Sequence, residues 1–72
     1  MRTDAISVIL DKAWETNSWA FIFTDKQMAI NPEDYDWKIH ENLDILCIFN
    51  KNSKVEIYLD TNSITEILLK DE

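Results

Sequence analysis

Apolar residues recur at a helical spacing near the start of the chain and mostly at every second position after it. Over residues 4–15, Ile6, Ile9, Leu10 and Ala13 share one helical face, and Asp4 stands where it can cap the first turn. A strand competes, because Ile6, Val8, Leu10 and Trp14 also alternate with polar residues. The adjacent pair Ile9-Leu10 and the length of the segment favour the helix. Glu15-Thr16-Asn17-Ser18 is a polar break that ends it.

Trp19 to Thr24 reads as a strand, rich in aromatic residues, turning at Asp25-Lys26 into a short return strand from Gln27 to Ile30. Asn31-Pro32-Glu33-Asp34 has the chemistry of a helix start, with Asn at the N-cap, Pro next and acids in the first turn. From Tyr35, however, Tyr35, Trp37 and Ile39 follow period two, so an edge strand competes with that helix. A hairpin comes next: Leu43 to Phe49 and Val55 to Leu59 flank the turn-forming segment Asn50-Lys51-Asn52-Ser53-Lys54. Both faces of the first arm are apolar, which predicts a central strand covered on both sides. The second arm keeps Val55, Ile57 and Leu59 on one face, with Glu56 and Tyr58 on the other.

Asp60 to Ser63 breaks this arm, and Ile64 to Leu69 closes the pattern as either a short helix capped at Thr61 or Ser63, or a last strand. In the second form, strand, tight Asn62-Ser63-Ile64 turn and short strand resemble the closing elements of small SH3-like or Sm-like barrels. The expected fold is therefore α+β: one domain over residues 1–72, with an N-terminal helix packed on an antiparallel sheet of about four or five strands. The resemblance implies that the sheet curls towards a small barrel.

Composition narrows the chemistry. There is no glycine, so positive backbone φ falls to other residues, with Asn17, Asn42, Asn50, Asn52 and Asn62 the candidates. The same absence removes every glycine-dependent phosphate loop, including the P-loop and the dinucleotide fingerprint. A single cysteine, Cys47, forms no internal disulfide and lies in an apolar run, as a small core hydrophobe would in a reducing compartment. No signal-like or spanning apolar segment occurs, and the expected location is the cytoplasm. Short chains bury thin cores, and with neither disulfide nor metal ligands in supply, a homodimer is the staple that remains.

Charge sets the functional expectation. The formal net charge is −7, and Glu33, Asp34, Asp36, Glu41 and Asp44 crowd one segment against Lys38 alone. Tyr35 and Trp37 are interleaved with these acids. Aromatic side chains anchor interfaces and carboxylates steer towards basic partners, so Glu33, Asp34, Tyr35, Asp36, Trp37, Glu41 and Asp44 form the candidate partner-binding surface. A solvated acidic face is the competing reading. The spacing of Asp34, Asp36, Glu41 and Asp44 matches no EF-hand loop, and no metal or other cofactor is expected. His40 has no nucleophile to serve, and a buried Cys47 would hold little thiolate, so no enzymatic activity is expected. Lys and Arg number seven against fourteen acids, which disfavours direct nucleic-acid binding. Short, acidic and non-enzymatic by these criteria, the chain resembles in kind the small inhibitors that phages and mobile elements direct at restriction, CRISPR and other defence enzymes. That resemblance implies an acidic DNA mimic seated on the basic surface of a protein partner.

Overall fold

The computed structural model describes residues 1–71. Helix α1 spans Thr3–Glu15 and begins one residue before the expected start. Asp4 is inside the first turn rather than at the N-cap; its Oδ1 accepts the Ala5 N–H at 2.9 Å and its carboxylate pairs with Arg2 at 2.8 Å. Ile6, Leu10 and Ala13 are fully buried, whereas Val8 is 70% exposed. A strand would have placed Val8 beside Ile6 and Leu10, so the burial pattern is that of a helix. The helix ends in a Schellman-type turn. Asn17 takes the left-handed conformation at φ 54°, and the Ser18 N–H reaches back to the Ala13 carbonyl at 2.8 Å. Ser18 is buried beneath this turn and donates through Oγ to Asp71 Oδ1 at 2.7 Å.

Strand β1 (Trp19–Phe23) is the centre of a three-stranded antiparallel sheet, between β2 (Gln27–Ile30) and β6 (Glu66–Lys70). The β1–β2 register closes at Phe23 opposite Gln27, which makes the connection three residues long rather than two. Thr24 holds that loop, donating its N–H to the Lys26 carbonyl at 2.8 Å and accepting the Lys26 N–H on Oγ1 at 3.1 Å. Without glycine, the positive φ values of a two-residue hairpin turn are costly, and a side-chain-braced loop replaces it.

The segment Asn31–Asp34 makes one turn, closed by the Tyr35 N–H on the Asn31 carbonyl at 3.0 Å, and Tyr35 then opens strand β3 (Tyr35–His40). No helix follows that turn: of the two competing readings, the edge strand from Tyr35 is the one that forms. Strand β3 is one edge of a second antiparallel sheet, with β4 (Ile45–Asn50) central and β5 (Glu56–Asp60) at the other edge. A 3-10 turn over Glu41–Leu43 joins β3 to β4, and Asp44 leaves it at φ 53°. Asp44 therefore takes a left-handed role expected of asparagine, and its carbonyl accepts the Thr61 N–H at 2.9 Å. A second 3-10 turn, Thr61–Ser63, is capped by Asp60 Oδ1 on the Asn62 N–H at 2.9 Å and leads into β6. The closing segment is thus a strand rather than a helix: Glu66–Lys70 pairs with β1 residue for residue, from Glu66 opposite Phe23 to Lys70 opposite Trp19.

The architecture is α+β, as expected, but six strands divide into two three-stranded sheets instead of one sheet of four or five. The division follows from the turn at Asn31–Asp34, which redirects the chain between β2 and β3. Helix and both sheets share one core, built from Ile6, Leu10, Ala13, Ala20, Ile22, Ile30, Leu46, Ile48, Ile64 and Ile67. The Met1 amino group donates to the carbonyls of Thr61 and Ile64 at 2.8 and 2.9 Å, holding the start of α1 against the second 3-10 turn. No helix is long and apolar enough, among the described residues, to cross a membrane.

Candidate protein-binding face

Alternation along β3, β4 and β5 gives their sheet two unlike faces. Leu46 and Ile48 point into the core, with Tyr35, Trp37, Ile39, Ile57 and Leu59 packed partly buried around it. The residues between them face away. Register places these in three rows across the sheet: Asp36, Phe49 and Glu56; Lys38, Cys47 and Tyr58; His40, Ile45 and Asp60. The middle column is apolar and the flanking columns are mostly polar. Cys47 is 2% exposed yet lies outside the core cluster, lodged between its cross-strand neighbours. Ile45 and Phe49 are half-buried. Strand β4 is thus covered by the core on one face and by the side chains of its neighbouring strands on the other, not by a second layer.

One end of this face carries its most exposed apolar groups. Leu43 is 67% and Tyr58 60% exposed. With Asp44, Ile45, Leu59, Asp60 and Asn62 they line a shallow cavity of about 400 Å³. The Tyr58 hydroxyl donates to Glu56 Oε2 at 3.0 Å. This hydrogen bond to the carboxylate is the main reason the phenol is pushed up to about 12, with Cys47 adding to the shift. Tyr58 therefore stays a neutral donor across the physiological range. Around the apolar centre stand Asp36, Asp44, Glu56 and Asp60, all exposed, with Lys38 the one lysine in the three rows.

The acidic segment itself is spread out. Glu33 is exposed in the turn before β3, while Asp34 is half-buried there and its carbonyl accepts the Lys51 N–H at 2.8 Å. Glu41 and Asp44 lie at the opposite end of β3, about 20 Å away along six residues of extended chain. Asp36 alone of the five projects from β3 onto the outer face. Tyr35 and Trp37, interleaved with the acids in sequence, point to the other side. Both are half-buried against the core, and Trp37 meets Trp14 edge to face, ring centroids 6.4 Å apart and planes at 81°.

The face thus joins Asp36 and Asp44 to residues outside that segment: Tyr58, Glu56, Asp60, Ile45 and Phe49. Their sequence signal is the position of Glu56 and Tyr58 opposite the apolar side of β5, together with the apolar residues on both sides of β4. Strand pairing is what makes these neighbours. Among the described residues no three His, Cys, Asp or Glu side chains converge as metal ligands would. Comparison with protein-family models, with curated proteins and with solved structures gave no significant match.

Proposed function

We propose that the chain is a non-enzymatic protein-binding module that meets a basic partner surface with the outer face of β3, β4 and β5. The observation that carries this reading is the exposed Tyr58–Leu43 pair beside the apolar centre of a sheet face edged by Asp36, Asp44, Glu56 and Asp60. Apolar anchors inside a polar rim are how interfaces divide affinity from steering. In this arrangement Tyr58 and Leu43 anchor. Asp36 and Asp44 steer from within the face, and Glu33, Asp34 and Glu41 extend the negative potential along β3. Tyr35 and Trp37 brace the same strand from beneath.

The specific form of the proposal is a DNA-mimic inhibitor, of phage or other mobile-element type, acting in the cytoplasm on a nucleic-acid-handling or defence enzyme. A groove built for phosphates presents Lys and Arg, and carboxylates on a rigid sheet can occupy it. The supporting scaffold is read as a small SH3-like or Sm-like barrel, on the strength of two short sheets around one core and a 3-10 turn before the last strand.

The test compares the wild-type chain with Asp36→Lys/Asp60→Lys as bait in host lysate, both checked for folding by circular dichroism. A partner held at low salt by wild type, released as the Debye length falls from about 10 to about 3 Å between 0.1 and 1 M salt, displaced by DNA and lost with the double variant supports the reading. Equal retention by both baits refutes the assignment of this face.

A further inference from the structure

We infer that the outer face of the β2–β1–β6 sheet is a self-complementary surface for a second copy of this chain. Ala20 and Ile22 of β1 are buried in the core, so Trp19, Phe21 and Phe23 turn the other way; all three are half-buried, and none belongs to the set packed against the core. Two adjoining shallow cavities of about 380 Å³ each lie on this face, one lined by Trp19, Phe21 and Ala29, the other by Phe21, Phe23 and Leu68.

The register supplies the symmetry. Ala29, Phe21 and Leu68 form one row across the sheet. Trp19 and Phe23 stand two residues to either side of that row on β1, and Lys70 and Glu66 do the same on β6. A half-turn about an axis along the row stacks a second sheet face to face. It sets Leu68 against Leu68, Trp19 against Phe23 and Lys70 against Glu66 of the other copy. An isologous interface needs this self-matching, in which each contact occurs twice. Charge argues for the same occupant. A chain of net charge −7 repels its own copies, and this face carries one lysine against one glutamate in its strand positions. Asp71, whose carboxylate accepts from Ser18 Oγ, adds a negative charge at the border of one cavity, next to Lys70.

Three strands about 4.8 Å apart and five residues rising about 3.3 Å each give a face of roughly 14 by 16 Å. That is far below the roughly 800 Å² per partner of a standard interface, so the dimer is a weak, transient one, to be sought between micromolar and millimolar protein concentration. Sedimentation equilibrium of the full chain over that range is the test. Wild type should pass from monomer to dimer, and Leu68→Lys should weaken association at least tenfold; Leu68 is 49% exposed, so the fold tolerates the change. Glu66→Lys and Lys70→Glu should each weaken it severalfold, and the double reversal Glu66→Lys/Lys70→Glu should restore it. A 1:1 mixture of the two single variants should associate more strongly than either alone. A wild type that stays monomeric, association that survives Leu68→Lys, or a double reversal no stronger than the single variants overturns the inference. Asp36→Lys/Asp60→Lys lies on the other sheet and should not reduce dimer formation, which keeps this surface separate from the proposed partner-binding face.

Discussion

Thr61 offers a direct test of how the fold accounts for its buried polar atoms. The residue is 1% exposed, and its backbone is fully used. Its N–H donates to the Asp44 carbonyl at 2.9 Å, and its own carbonyl accepts from the Met1 amino group at 2.8 Å and from the Ile64 N–H at 3.2 Å. The hydroxyl oxygen, by contrast, is buried with no hydrogen-bond partner. Thr61→Val leaves every backbone bond in place and keeps the β-branched shape, replacing only the idle hydroxyl with a methyl group. An unsatisfied buried hydroxyl costs about 1–3 kcal/mol. Burying the added methyl contributes up to about 0.8 kcal/mol, reduced by any crowding. A net gain of about 1–2 kcal/mol is expected, and in a domain of this size each kcal/mol moves Tm by about 4–8 °C. Thermal and urea unfolding followed by circular dichroism measure both quantities, with an unchanged urea slope showing that the denatured state is unaltered. Thr61→Ser is the control: it keeps the hydroxyl, removes the methyl and should be destabilised. A lower Tm for Thr61→Val would show that the hydroxyl does useful bonding in solution, and would refute the reasoning.

The Tyr58 phenol should titrate near 12, two pH units above its ordinary value of 10.0, and Glu56→Gln should bring it down towards 10 when tyrosinate absorbance is followed against pH. Because the folded-state value is raised, the stability it confers is complete below the ordinary value and disappears as pH climbs from there through about 12; identical titrations of wild type and Glu56→Gln would refute the link. The Trp14–Trp37 edge-to-face pair should show a coupling of about 0.5–1.5 kcal/mol in a double-mutant cycle built from Trp14→Leu and Trp37→Leu. Urea unfolding of the four proteins measures it, and strictly additive losses would mean that the contact contributes only area.

Much of the local structure is written in the residues. The helix is legible because Ile6, Leu10 and Ala13 repeat at its period. Its end is legible because Asn17, the best left-handed former in a polar break, supplies the positive φ that Ser18 needs to reach Ala13. The hairpin of β4 and β5 is legible because two runs rich in β-branched and aromatic residues flank a segment of turn formers. Asp44 is less so: left-handed aspartate is uncommon, and what selects it is the tight 3-10 exit that lets its carbonyl meet Thr61. The candidate face was legible only in fragments. Asp36 and Asp44 stand out as acids and Leu43 adjoins Asp44, but the anchor Tyr58 comes from β5 and is brought beside them only by strand pairing.

The residues alone favour the helix at the start of the chain and the strands of its middle, because backbone preference and side-chain period act over a few residues. They left helix and strand both open after Asn31 and from Ile64 to Leu69, where only strand pairing chose β3 and β6. Nor could they decide which side of a strand goes inward when both sides are apolar. In β1 the structure buries Ala20 and Ile22 and turns three larger aromatic residues outward, the reverse of what size and hydropathy alone favour. In β3, where only one side is apolar, the structure draws Tyr35 and Trp37 inward as that alternation favours and leaves Asp36 to the outer face, so the two aromatic residues are not exposed anchors. A period of two fixes alternation but not its sense. The sense is set by the space left between a helix and two sheets, and that space exists only once β1 has paired with β6 across the length of the chain.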